Sequence, residues 1–150
     1  MEIKKIIEDK EQFMDLLLLA DEHESMIRKY LGRGDLLALY DPDLKTVCVV
    51  TQEDENTCEI KNIATYENEQ GKGYASLMLK YILENYKDKC DTLLLGTGDN
   101  DKIISFYKKF GFVYSHTVKD FFVDNYDHEM FENGQQLRDM IYLKVNVSQQ

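Results

Sequence analysis

The sequence predicts a mixed α/β fold (α+β by some schemes) in one domain, residues 1–150. It has a mostly antiparallel central sheet of about six to seven strands, a βαβ core and helices on both faces. Three observations carry this. Apolar and β-branched runs of strand length recur at 46–51, 57–66, 91–97, 112–118 and 138–147, with polar turns between them. The strand-like run ending at Tyr66, the helical pattern over 76–86 and the fully apolar run over 91–97 form a strand–helix–strand unit, which requires a parallel pair and a right-handed crossover. An apolar fraction of 43% is ordinary for a globular core, and no apolar run approaches the length of a membrane span.

Taken in order, residues 1–7 alternate apolar and charged side chains and read as a first strand. A helical pattern follows over 9–20, with Phe13, Leu16, Leu17 and Ala20 on one face and Asp9 or Glu11 at its start. Leu18 and Leu19 widen its apolar girth, so this helix is expected to be well buried. A second, more polar helix fits 21–30 and breaks at Arg33-Gly34. Residues 36–40, 46–51 and 57–66 then read as an antiparallel meander, with turns at Asp41-Pro42-Asp43 and at 52–56. After the helix over 76–86 and the strand over 91–97, Ile103, Phe106, Tyr107 and Phe110 line one face of a helix over 101–110, which Gly111 ends. A strand follows over 112–118. Residues 119–132 suit a loop with a short helix, Asn133-Gly134 is a turn signal, and 138–147 alternates as the last strand.

The net charge of −10 and pI near 4.7 disfavour nucleic acid as a partner, because a compact binder of a polyanion normally presents a basic face. An acidic surface attracts cations such as amines. Cys48, Cys58 and Cys90 are widely spaced and odd in number, so they match neither a metal pattern nor a disulfide framework. They suit a reduced, cytoplasmic setting, and the charged amino terminus lacks the apolar core of a signal peptide. No set of residues has metal-ligand spacing, and no membrane association is expected.

The chemistry concentrates at Gln70-Gly71-Lys72-Gly73-Tyr74-Ala75, between strand and helix. Glycine permits a tight turn and close approach of another molecule to the main chain. The free N–H groups and positive dipole end of the helix that follows make a seat for phosphate or pyrophosphate. A plain strand-to-helix turn would carry the same glycines. The βαβ unit adds that both strands point their carboxyl ends the same way, where ligands of such sheets bind. The stretch Gly96-Thr97-Gly98-Asp99-Asn100 lies at that same end.

Two motifs in sequence order then carry a resemblance. Gln70-x-x-Gly73-x-Ala75 sits between strand and helix. Asn100 opens the next helix, with Tyr107 seven residues on and Gly111-Phe112 beyond. With both motifs, the chain resembles the GNAT superfamily of acyl-coenzyme A-dependent N-acyltransferases over roughly its whole length. The segment after Tyr107 is similar to one bacterial branch of acetyltransferases.

The resemblance implies acetyl-CoA as cosubstrate, with no metal. It implies that the main chain of Gly71, Lys72, Gly73, Tyr74, Ala75 and Ser76, with Gln70 leading in, holds the pyrophosphate. Main-chain groups of Ile63, Ala64 and Thr65 would pair with the pantetheine arm like an added strand. Asn100 would hold the cofactor, and Tyr107 would lie near the thioester sulfur and protonate the departing thiolate. Glu59 is the expected general base; a structural carboxylate is the plainer reading of it, as a core aromatic is of Tyr107. An alkylammonium must lose a proton before it attacks, at a cost of about 4 kcal/mol at neutral pH for a lysine-like amine.

The function so implied is transfer of an acetyl group to a primary amine, on a small cationic molecule or a protein, by direct attack in a ternary complex. Cys48 and Cys58 fall in strands without an activating partner, which argues against a covalent route. The alternative is an acyl-CoA-binding sensor or interaction module without acceptor chemistry. His116 and the acidic run Asp124, Asp127, His128 and Glu129 are further candidates; that run is a solvated loop or a lining for a cationic acceptor. The family also implies the option of a homodimer through the last strands.

Overall fold

The structure is a computed structural model and describes residues 1–132 and 134–149. Its main sheet has seven strands: β1 (Glu2–Ile6), β2 (Asp35–Tyr40), β3 (Leu44–Gln52), β4 (Thr57–Thr65), β5 (Thr92–Gly98), β6 (Val113–Val118) and β9 (Met140–Asn146), in the order β1-β2-β3-β4-β5-β9-β6. Two short strands, β7 (Met130–Glu132) and β8 (Gln135–Leu137), form a separate hairpin. All neighbours are antiparallel except β4 and β5, the parallel pair that the strand–helix–strand reading requires. The α-helices are α1 (Met14–Leu17), α2 (Glu24–Leu31), α3 (Tyr74–Asn85), α4 (Asp101–Lys108) and α5 (Phe121–Asn125).

The helices divide the apolar residues into two cores, one on each face of the sheet. One core gathers Met78, Leu79, Ile82 and Leu83 of α3 and Tyr107 of α4 over Leu37, Cys48, Cys58, Leu93, Leu95, Leu143 and Val145. The other gathers Leu16 and Leu17 of α1 and Ile27, Tyr30 and Leu31 of α2 over Leu36, Ala38, Val47, Val49 and Ala64. Sheet residues alternate between the two cores because strand side chains alternate between faces. The three thiols are buried and unpaired.

The long helix expected over 9–20 does not form. A 3-10 turn at Lys10–Phe13 runs into the single turn of α1, and Asp9 takes a left-handed conformation (φ 53°) without capping through its side chain. Leu16 and Leu17 are buried, but Leu19 is half exposed, so the apolar girth of this segment is wider than the surface it can cover. The last strand is also shorter than its alternation suggests. It runs only from Met140 to Asn146: Arg138 and Asp139 fall outside it, and Val147 opens a 3-10 turn. Glu132 pairs with Gln135, and Gly134 has a positive φ of 79°. Asn133, the other half of the expected turn, lies outside the described residues, as does Gln150 of the tail.

Candidate active site

The site begins with one extra residue in β4. Val49 of β3 stands opposite Asn62, but the next residue, Val50, stands opposite Ile60, so Lys61 is a bulge. A bulge shifts the alternation by one and bends its strand. Cys58 and Ile60 face the α3 core before it, and Ile63 packs against that same core after it. A regular strand could not place residues three apart on one face.

The parallel pairing of β4 with β5 stops at the same point, its last register being Ile60 with Leu95. Beyond it β5 pairs only with β9. From Lys61 to Thr65, one edge of β4 therefore has no strand neighbour among the described residues. Main-chain groups on that edge are free to pair with an extended ligand, which is how a strand-like arm is taken up. Ile63, Ala64 and Thr65 line this opening. The Gln70 amide closes its end by donating to the Thr65 carbonyl at 3.1 Å.

The glycine turn follows. Gly71 and Gly73 take φ of 79° and 91°, and Gly73 is the N-cap of α3. No side chain caps the helix, and the space where a Cβ would stand at either glycine is open. The first N–H groups of this twelve-residue helix, from Tyr74, Ala75 and Ser76, thus face an accessible seat at the positive end of the dipole. The Tyr74 hydroxyl turns away and donates to Asp41 at 2.9 Å, and the Lys72 ammonium pairs with Glu69 at 3.3 Å. The contribution of these two residues to the seat is their backbone.

A cavity of about 600 Å³ fills the opening between β4 and β5. Its walls come from both faces of the sheet. Ile103 and Tyr107 of α4 stand on the α3–α4 side. Asp21 and Glu22, from the loop between α1 and α2, stand on the other. Phe122, Tyr126 and Glu132 close the far wall.

Tyr107 is 9% exposed and packs edge-on against Phe106 and Phe112 at ring separations of 5.3 and 5.8 Å. Burial pushes its phenol above the ordinary value of 10.0, and no protein hydrogen bond to its hydroxyl is present among the described residues. Asn100 caps α4: its Oδ1 accepts from the N–H groups of Lys102 and Ile103, and its Nδ2 donates to Glu132 at 3.3 Å. Its side chain is thereby engaged in holding α4 and the hairpin.

Glu59 is 7% exposed and pairs with Lys61 at 3.1 Å. Burial raises its pKa against the pull of the Lys61 charge. Lys61 lines the cavity, but Glu59 lies behind it and does not. His116 stacks on Tyr142 at 4.6 Å, away from the lining. His128 bridges Asp127 and Glu22, and the hydrogen bonds it donates to these two carboxylates raise its pKa. Asp124, Asp127 and Glu129 do not line the cavity; its carboxylates are those of Asp21, Glu22 and Glu132.

Sequence reasoning passed over a polar chain on the α1–α2 side. Asn62 donates from Nδ2 to the Leu17 carbonyl and to the Tyr30 hydroxyl, both at 3.0 Å, and the Tyr126 hydroxyl donates to Asp21 at 2.9 Å. Burial, with the charge of Asp21 nearby, pushes both phenols up. The one available signal was Asn62 itself, a polar residue inside an apolar strand.

A left-handed glycine turn at a helix N-terminus and a free strand edge opening on a cavity suit a protein that takes up an extended ligand bearing a phosphate. The chain belongs to the acetyltransferase (GNAT) family, whose model matches residues 7–112. It is 38% identical over 143 residues to the uncharacterized N-acetyltransferase YvbK of Bacillus subtilis, covering 93% of this chain and 92% of that one. Among solved structures it is similar to a GNAT family acetyltransferase from Elizabethkingia anophelis with acetyl-CoA bound, at 34% identity, TM-score 0.92 and 97% of both chains. It is also similar to a Bacillus subtilis acetyltransferase in complex with CoA, at 36% identity, TM-score 0.87 and 97% of both chains. Acetyl-CoA is accordingly the cosubstrate. Among the described residues no group of His, Cys, Asp and Glu is arranged to hold a metal ion, and no helix is long and apolar enough to cross a membrane.

Proposed function

We propose that the protein transfers the acetyl group of acetyl-CoA directly to a primary amine. The observation that carries this is the cavity that crosses the sheet between β4 and β5, with Tyr107 on one side and an acidic wall on the other. The backbone from Gly71 to Ser76 receives the pyrophosphate, and the free edge at Ile63, Ala64 and Thr65 receives the pantetheine arm. A backbone N–H of that edge is the donor for the oxyanion that develops on the thioester carbonyl. The Tyr107 hydroxyl gives its proton to the leaving thiolate. Glu59 takes the ammonium proton through water, since it lies behind the lining; its raised pKa makes it a stronger base than an ordinary carboxylate. The buried thiols favour a ternary complex over a covalent intermediate: burial raises the Cys48 thiol, and it raises Cys58 to about 12.

The test is release of free coenzyme thiol from acetyl-CoA over a panel of primary amines, for the wild type and Glu59→Gln. Amine-dependent release that falls about 100-fold in the variant is the expected result. A thermal shift with acetyl-CoA but no amine-dependent release would make the protein a binding module and sink the transfer reading.

A further inference from the structure

We propose that the acceptor is an amine with a second, fixed positive charge, and that Asp21 holds that charge while the other nitrogen reacts. This rests on the amine-transfer reading and narrows it.

Two demands on the cavity conflict. The attacking nitrogen must be neutral, and a carboxylate beside it would stabilise its ammonium form and oppose attack. Yet of the four charged residues that line the cavity, three are carboxylates (Asp21, Glu22 and Glu132), against one ammonium, Lys61. Lys61 is already paired with Glu59 and, more loosely, with Glu53 at 3.9 Å.

The sheet resolves the conflict. Tyr107 stands in the α3–α4 core, whereas Asp21 follows α1 and sits beside Tyr30 and Asn62 on the opposite face. The negative charge is therefore separated from the acid by the thickness of the opening. It can bind a part of the acceptor that never reacts.

Asp21 is the carboxylate suited to this. Glu22 has its counter-charge in His128. The hydrogen-bond donors to Asp21 are neutral ones, the Tyr126 hydroxyl at 2.9 Å and the His23 N–H at 3.3 Å, and it has no cationic partner among the described residues. These donors fix the carboxylate in place and leave its charge uncompensated. The aromatic wall beside it, Phe122 stacked on Tyr126 at 5.8 Å, offers ring faces that suit an alkylammonium.

A second observation on this wall is independent of charge. Asn62 is 4% exposed and lines the cavity, and its Oδ1 is buried without a hydrogen-bond partner. Its orientation is set, because turning the amide over would oppose two oxygens at the Leu17 carbonyl. A buried acceptor left in this way calls for a donor. An ammonium is donor-only, as Asn62 and Asp21 together require.

The experiment compares three acceptors with the same carbon chain and a different far end: putrescine (cationic), n-butylamine (neutral) and 4-aminobutyrate (anionic). Steady-state thiol release is measured for each with the wild type and with Asp21→Asn. The wild type is expected to favour putrescine over butylamine by about tenfold or more in kcat/KM, with aminobutyrate poorest. Asp21→Asn should erase most of that ratio through KM, while acetyl-CoA still raises the melting temperature. Should Asp21→Asn not fold, the wild type itself serves: the putrescine-to-butylamine ratio must fall as salt is raised. Equal kcat/KM for putrescine and butylamine, a ratio unchanged in Asp21→Asn, or a ratio indifferent to salt overturns the inference and leaves acetyl transfer standing. No release with any of the three, alongside a normal acetyl-CoA shift, overturns both.

Discussion

Replacing Tyr107 by Phe separates the catalytic reading of this residue from the structural one. Tyr107 lines the cavity and its hydroxyl has no protein partner among the described residues, so its removal breaks no hydrogen bond within the chain. The ring contacts with Phe106 and Phe112 are kept. Removing a hydroxyl that bonds to nothing in the chain changes stability by about 0–1 kcal/mol, in the favourable direction if its hydration in the cavity is poor. At roughly 2–4 °C per kcal/mol for a chain of this length, the melting temperature should hold or rise slightly. A positioned general acid contributes about 100-fold or more, so kcat in the thiol-release assay should fall by that factor, with KM for acetyl-CoA unchanged. Burial raises the phenol above 10.0, so the acid stays protonated through the neutral and mildly alkaline range. The wild type should therefore show no descending limb from this group below about pH 10. Two outcomes would refute the reasoning. A kcat within threefold of wild type would make Tyr107 a core aromatic, and a melting temperature lowered by several degrees would mean that the hydroxyl has a partner that holds the fold.

Gly73→Ala forces a side chain into a left-handed position (φ 91°), at roughly 1–2 kcal/mol. That should lower the melting temperature by about 2–8 °C. Because the Cβ points into open space where the pyrophosphate would approach, KM for acetyl-CoA should rise by about tenfold or more; an unchanged KM would move the anion seat elsewhere. Asp35 bears on pH. Burial works to raise its carboxyl, but the Tyr86 hydroxyl at 2.9 Å, Lys5 at 3.2 Å and Lys89 at 3.6 Å outweigh it and hold the pKa below 3.8. A depressed carboxylate stabilises the fold above its unfolded value and loses that stabilisation as pH falls through its folded one. Thermal melts of wild type and Asp35→Asn should differ at pH 7 and converge toward pH 3; a gap that stays constant would mean the carboxylate is not held by its charge.

The donor half of the site was legible because it is made of backbone. Gly71 and Gly73 leave a trace that no side chain can hide, since only glycine occupies those angles readily, and the strand and helix around them are marked by their own periodicities. The side proposed for the acceptor was not legible. Asp21, Asn62, Tyr126 and Glu132 come from four separate elements, and nothing in their spacing says that they share a cavity. The acidic run 124–129 is conspicuous because it is dense, whereas the carboxylates that line the cavity are one pair, Asp21 and Glu22, and Glu132 more than a hundred residues away. The length of the first helix was misjudged for a related reason. Helical spacing at Phe13, Leu16, Leu17 and Ala20 reports which residues need burial, and one turn plus a 3-10 segment buries the first three.

The bulge at Lys61 joins these halves. Ile60 and Ile63 were visible as the apolar residues of their strand, yet three apart they contradict a period of two. That misfit is the sequence trace of the extra residue. Without it, β4 would run on beside β5, its edge would be paired and there would be no opening through the sheet. With it, the strand turns its free edge to the opening and Asn62 toward Tyr30 on the other face, so one inserted residue both opens the groove proposed for the acyl carrier and supplies a wall of the cavity proposed for the acceptor. The two substrates can then approach from opposite faces of the sheet and meet where the strands part. On the proposed reading, that arrangement keeps the carboxylates that would attract a cationic acceptor away from the nitrogen that must lose its proton.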